Sequence, residues 1–101
     1  MSDRITAQDF EAAPGTADWH VADAAERVFE TGSFDVGARL VARIAELADA
    51  ANHHPDVDLR YGTVTVRLTS HDVGGLSRRD AALAREIAAA ARELGVDAKA
   101  V

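Results

Sequence analysis

The sequence predicts an α+β fold, with antiparallel strands that carry helices on one face. Three observations predict it. Apolar residues recur at helical spacing from Gly37 to Ala51. They alternate at period two from Val57 to Leu68. Turn signals divide the remainder so that the order reads helix, two strands, helix, two strands, helix.

Ile5 to Ala13 is the first helix. Thr6 can cap it, Asp9 follows at the capping-box position, and Pro14-Gly15 stops it. Trp19 to Val21 and Val28 to Thr31 are short strands, the second starting as early as Ala25, and Thr31-Gly32 turns the chain. Ser33 offers the next N-cap, with Asp35 in the first turn. Gly37, Leu40, Val41, Ile44, Leu47, Ala48 and Ala51 then form an apolar stripe, which must end near His54 because Pro55 disfavours helical geometry before it. Val57, Leu59 and Tyr61 alternate with Asp58 and Arg60, and Val64, Val66 and Leu68 with Thr65 and Arg67. Each run is expected to bury one face. Tyr61-Gly62 is the expected hairpin turn, with Gly62 free to take positive φ. Ser77 caps the last helix, with Asp80 at the capping-box position and Leu83, Ile87, Ala90, Ala91 and Leu94 as its stripe. Gly95 ends it, and Val96 to Val101 reads as a tail.

A chain of 101 residues, 48% apolar and 28% charged, is expected to form one small domain spanning residues 1–101. Its only aromatic residues are Phe10, Trp19, Phe29, Phe34 and Tyr61, so the core must be mostly aliphatic. The core can be only modest at this length, and an oligomer burying further surface fits. A net charge of −6 argues against nucleic acid or an anionic membrane as the main partner. The absence of cysteine excludes disulfides, thiolate metal sites and a thiol nucleophile, and is compatible with a reducing cytosol. No signal peptide or membrane span is legible, so a cytoplasmic protein is expected.

Chemistry concentrates in two segments, Asn52-His53-His54-Pro55-Asp56 and Thr69-Ser70-His71-Asp72. Three of the four histidines fall within 19 positions. Imidazoles titrate near pH ~6.5, so they can give or take a proton at neutral pH. If the two segments meet in space, they make a proton-transfer site; the plainer reading is three surface histidines on loops. Asp49, four residues before His53, is placed to accept a hydrogen bond from that ring and fix its tautomer; an exposed pair without a role fits equally. His53, His54, His71 and Asp72 also offer metal ligands. Adjacent histidines seldom reach one ion unless the backbone turns between them, and no HxH or HxxxH spacing helps. Trp19 and Tyr61 can stack on a planar ligand, but core or turn packing explains them first. The Ser77 cap explains Asp80, Asp72 can merely cap its loop, and His20 reads as structural. Gly74-Gly75 supplies flexibility or lets a ligand approach the backbone. A Ser-His-Asp triad through Ser70 lacks the surrounding nucleophile-elbow pattern.

The spacing Asp49, His53-His54-Pro55, Tyr61, His71, Asp80, with the run Ser70-His71-Asp72-Val73-Gly74-Gly75-Leu76-Ser77-Arg78-Arg79-Asp80, resembles the signature of the pterin-4a-carbinolamine dehydratases. Trp19, Phe29, Phe34 and the Val41-Ala42 region extend the resemblance over about Trp19 to Ala90. It implies a four-stranded antiparallel sheet with helices on one face, and homodimers or homotetramers. It implies dehydration of 4a-hydroxytetrahydropterin to quinonoid dihydropterin without metal or cofactor, in recycling the pterin of aromatic amino acid hydroxylases. The family's essential histidines fall on His53, His54 and His71, and its pterin contacts on Asn52, His53, His54, Thr69, Ser70, His71 and Asp72. Asp49, Pro55, Tyr61 and Asp80 are the supporting positions. On this reading His53 and His71 flank the 4a-hydroxyl as acid and base, and His54 orients the pterin. Asn52 stands where an acidic residue is common, Gly62 replaces a frequent Asn, Val57 a frequent Trp, and the segment before Trp19 is short and divergent. The resemblance also implies a rival: a non-catalytic protein-binding role, as a dimerisation cofactor of a transcription factor or an assembly factor for a carbon-fixing enzyme. The three retained histidines favour the enzyme. A metal-dependent lyase or hydrolase on the same histidines is a third reading.

Overall fold

A computed structural model of the chain describes residues 3–98. Its elements are α1 (Ala7–Ala12), β1 (His20–Val21), β2 (Ala25–Glu30), α2 (Phe34–Ala51), β3 (Asp56–Leu59), β4 (Thr63–Leu68), α3 (Arg78–Glu93) and β5 (Asp97–Ala98), with a 3₁₀ turn at His71–Val73. The sheet is antiparallel throughout, in the order β1-β2-β4-β3. The α+β architecture is the one expected.

Local chemistry sets the helix boundaries. Thr6 and Asp9 exchange both capping-box hydrogen bonds at α1, and Ser77 and Asp80 do so at α3. Ser33 caps α2 by accepting from the Val36 N–H. Helix α3 closes with Gly95 at φ 72°, its N–H donating to Arg92 O and the Val96 N–H donating to Ala91 O. That is the paired hydrogen-bond pattern of a left-handed helix terminus.

The core lies between the helices and one face of the sheet. Ala25 and Phe29 of β2 and Val64, Val66 and Leu68 of β4 meet Leu40 and Ile44 of α2, Leu83 and Ile87 of α3, and Phe10 of α1. Each fully buried Leu, Ile or Phe contributes about 1.5–3 kcal/mol. Trp19 is buried and meets Phe10 and Phe29 edge-on, with ring centroids 6.4 and 6.3 Å apart. It is a packing residue, as the plainer reading held.

Three expectations are corrected. The run from Val57 was expected to bury one face. As the edge strand, β3 instead leaves Val57 exposed and Leu59 only half-buried, and Tyr61 falls outside it in the turn. Gly62 does not take positive φ. Its carbonyl accepts the Thr31 and Gly32 N–H groups, tying the hairpin to the loop before α2. Part of the expected tail is strand: Asp97–Ala98 pairs with Glu30 and Phe29, on the edge of β2 that β1 leaves uncovered. Residues 99–101 of that tail lie outside the described residues, as do Met1 and Ser2. The second strand begins at Ala25, the earlier of its two expected starts.

Candidate active site

The two histidine-bearing segments meet at one end of the sheet. Strand β3 pairs Asp56 with Arg67, so Pro55 and the end of β4 lie side by side. Helix α2 stops at Ala51, and Asn52 adopts a left-handed conformation at φ 51°, ψ 42°. Asn52 is the only non-glycine with positive φ among the described residues, and asparagine tolerates that region better than most. Its N–H reaches Asp49 O at 3.2 Å and the His53 N–H reaches Ala48 O at 3.1 Å. This terminus reverses the chain and sends consecutive histidines to different surroundings.

His53 turns inward and is only 9% exposed. Its Nε2 lies 2.6 Å from Asp80 Oδ1. Asp80 is completely buried. Its Oδ2 accepts from Ser70 Oγ at 2.7 Å and from the Ser77 N–H at 2.8 Å. Ser77 Oγ is 2.7 Å from Ser70 Oγ, and Ser70 Oγ is 3.4 Å from His53 Nε2. The carboxylate is thus satisfied on both oxygens, as a buried charge must be. An ionised carboxylate can only accept, so the contact with Asp80 places a hydrogen on His53 Nε2.

His54 faces outward. Its Nε2 lies 2.9 Å from Asp49 Oδ1, both side chains being exposed. The expected Asp49–His53 pair is therefore corrected: Asp49 holds His54, because the left-handed Asn52 breaks the helical register that would have brought His53 back over Asp49. Asp80 is corrected too, since it serves His53 and Ser70 as well as the Ser77 cap. Both neighbouring imidazoles hold Nε2 within hydrogen-bond distance of a carboxylate.

The other segment lies on the 3₁₀ turn. His71 is exposed, and its side chain hydrogen-bonds to no described residue. Asp72 gives both carboxylate oxygens to Arg79 Nη2, each at 2.8 Å. That hydrogen bond, with lesser help from the charges of Arg79 and His53, holds the Asp72 carboxyl below its ordinary range. Thr69 Oγ1 donates to Gly75 O at 3.3 Å. Ser70 is not a nucleophile backed by a triad: Asp80 and Ser70 approach the same nitrogen of His53, whereas a relay needs them on opposite nitrogens. Pro55 is half-buried at the start of β3. Tyr61, expected to support the site, sits exposed at the hairpin tip. At ~3.4 Å per residue that is roughly 15 Å or more from the histidine end. Among the described residues no three His, Cys, Asp or Glu side chains form a group suited to a metal ion. No described helix is long and apolar enough to cross a membrane.

Sequence reasoning placed Ser77 only as a cap and gave Arg79 no role beyond the resemblance. The capping-box spacing was the one available signal that Asp80 and Ser77 touch, and nothing in the sequence pairs Arg79 with Asp72.

The profile of the pterin 4 alpha carbinolamine dehydratase family matches residues 3–90. The chain belongs to this family. A relative from Chloroflexus aggregans, provisionally named pterin-4-alpha-carbinolamine dehydratase, is 45% identical over 69 residues, or 66% of this chain and 73% of its own. One from Koribacter versatilis with the same provisional name is 37% identical over 86 residues, or 83% of this chain and 92% of its own. The crystal structure of a transcriptional coactivator/pterin dehydratase from Brucella melitensis aligns with TM-score 0.73 and 28% identity. That alignment covers 83% of this chain and 89% of the other.

Proposed function

We propose that this dehydratase-family chain converts 4a-hydroxytetrahydropterin to quinonoid dihydropterin by histidine acid/base catalysis, without a metal or cofactor, as a step in tetrahydropterin recycling. The supporting observation is the pair of adjacent imidazoles with Nε2 tied to Asp80 and Asp49, one buried and one exposed, on the same end of the sheet as the His71 turn. In the reaction the N5 lone pair forms the N5=C4a bond as the C4a–O bond breaks. An acid delivers a proton to the departing hydroxyl, which leaves as water, and a base takes a ring N–H proton. One proton enters and one leaves, so the sum is loss of water. Imidazoles serve both steps near neutral pH.

The roles proposed here follow exposure, in place of the expected pairing of His53 with His71. His54 and His71 are exposed and suited to proton transfer, whereas His53 is buried against Asp80 and suited to orienting the pterin. Ser70 Oγ lies 3.4 Å from the His53 ring, and Asn52 and Thr69 are the further proposed pterin contacts. The reading includes a homodimer or homotetramer, checked by light scattering.

The test is the dehydration rate of freshly generated 4a-hydroxytetrahydropterin with EDTA present. Acceleration by the wild type, abolished in the His54→Ala variant, supports the reading. No acceleration by a folded sample overturns it and favours a protein-binding role, to which the coactivator half of the Brucella protein's name points. Acceleration that EDTA abolishes favours the metal-dependent reading.

A further inference from the structure

Helix α3 sends two polar side chains toward the site from its first turn. One is Asp80. The other, Arg79, places Nη2 at 2.8 Å from both oxygens of Asp72 and donates from Nε to Asp3 Oδ2 at 2.9 Å. One guanidinium thus joins α3, the turn that carries His71 and the N-terminal segment. The backbone reinforces the second link: the Ile5 N–H donates to Leu76 O at 2.9 Å and the Arg78 N–H to Asp3 O at 3.3 Å.

The turn has few other holds. None of His71–Val73 is buried, Ser70 gives it no side-chain cap, and Gly74 closes it at φ 67°. The hydrogen bonds between Ser70 and Gly75, at 2.7 and 3.2 Å, pin its two ends, and the Val73 N–H to Ser70 O and Gly74 N–H to His71 O bonds, both 3.2 Å, close its backbone; none of them fixes the His71 or Asp72 side chain. Beyond Val73, Gly74 and Gly75 border an open cleft of about 670 Å³ that Arg4, Ile5 and Thr6 also line. From that direction Arg4 lies beside Gly75 at the end of the turn, while Arg79 bonds Asp72 in its middle. Asp72 is held ionised by Arg79, and Arg79 is in turn held protonated by Asp72.

We propose that Arg79 is a positioning residue that fixes the His71–Val73 turn through Asp72 and so sets where His71 meets the substrate. The effect on turnover rests on the dehydratase reading; the effect on the turn does not. Asp72 then acts through Arg79 rather than as a free acceptor for the pterin.

The experiment compares Arg79→Ala, Arg79→Lys, Asp72→Asn and the Arg79→Ala/Asp72→Asn double variant in the full chain. It reads amide hydrogen exchange of His71–Gly74, the NMR titration of each histidine ring, and kcat/KM. Arg79→Ala is expected to speed exchange at the turn about ten-fold or more, as loss of a local hold does. It changes the titration of His71 and leaves that of His54 in place. A displaced catalytic group lowers kcat/KM by roughly 10- to 10²-fold. Arg79→Lys restores part of each effect, because an ammonium still reaches Asp72. In the Asp72→Asn background Arg79→Ala adds nothing. Unchanged exchange and an unchanged His71 titration in Arg79→Ala overturn the proposal. So does a loss of kcat/KM that persists in full in the Asp72→Asn background, which makes Arg79 a direct substrate contact. If the wild type shows no dehydration, the functional reading falls, while exchange and titration still decide the clamp.

Discussion

Replacing Asp80 by alanine removes one carboxylate from three buried donors: His53 Nε2, Ser70 Oγ and the Ser77 N–H. Ser70 can turn to Ser77 Oγ, already 2.7 Å away. The Ser77 N–H has no such alternative, and the imidazole keeps only the longer 3.4 Å approach to Ser70 Oγ. Each buried donor left without a partner costs about 1–3 kcal/mol, and charge-assisted ones lie at the upper end. The sum is a loss of about 3–5 kcal/mol, the usual result of breaking a buried ion pair from one side. A domain of this size has only about 5–15 kcal/mol in total. Asp80→Ala is therefore expected to lower Tm by roughly 15–30 °C and to reduce the urea midpoint with little change in slope. Asp80→Asn keeps one acceptor oxygen but turns an amide N–H₂ toward a donor, so its loss is smaller. It also removes the partner that selects the His53 tautomer, and is expected to lower activity in a sample that still folds. An Asp80→Ala loss of about 1 kcal/mol or less would equal that of an ordinary helix cap. It would refute a buried network centred on this carboxylate.

His54→Ala and His71→Ala remove exposed rings; each is expected to lower turnover ~10²–10⁴-fold while changing stability by less than about 0.5 kcal/mol, read by single-turnover kinetics and urea unfolding. His53→Ala is expected to lose stability as well, because it strands the buried Asp80. Asn52→Val forces a β-branched residue into the left-handed region and is expected to cost about 1–2 kcal/mol, whereas Asn52→Gly stays near neutral in the same unfolding assay. Arg79 depresses the folded-state pKa of Asp72, so the pair's contribution is present above the ordinary Asp pKa and is lost as pH falls through the lowered value. A ¹³C titration of the Asp72 carboxyl should show that depression, and Arg79→Ala should return it toward the ordinary range.

The elements that could be read from the chain are those whose causes are local. The stripe from Gly37 to Ala51, the Ser33 cap and the stop before Pro55 all act within a few residues of one another, and α2 forms where they place it. The same holds for the capping boxes of α1 and α3 and for the inward face of β4. The misreadings share a different cause. Asp49 and His53 obey helical spacing, but the chain leaves helical geometry at Asn52, and one left-handed residue moved the partner to His54. Val57 and Leu59 alternate as a buried strand does, yet β3 lies at the sheet edge, and only strand order shows that. Asp97–Ala98 carries no strand pattern of its own and is fixed by the free edge of β2.

By itself the sequence determined the α+β class, the position of three helices, and the two segments that bring His53, His54 and His71 to one end of the molecule. Periodicity, capping and turn chemistry are short-range, and they need no knowledge of neighbours. Only the tertiary structure decided the electrostatic partners. Asp80 reaches His53 across 27 residues, and Arg79 joins Asp72 to Asp3 across 7 and 76. Such pairings depend on how α2, α3 and the turn after β4 pack together, so no local pattern encodes them. They divide the two adjacent histidines into a buried, anchored ring and an exposed one.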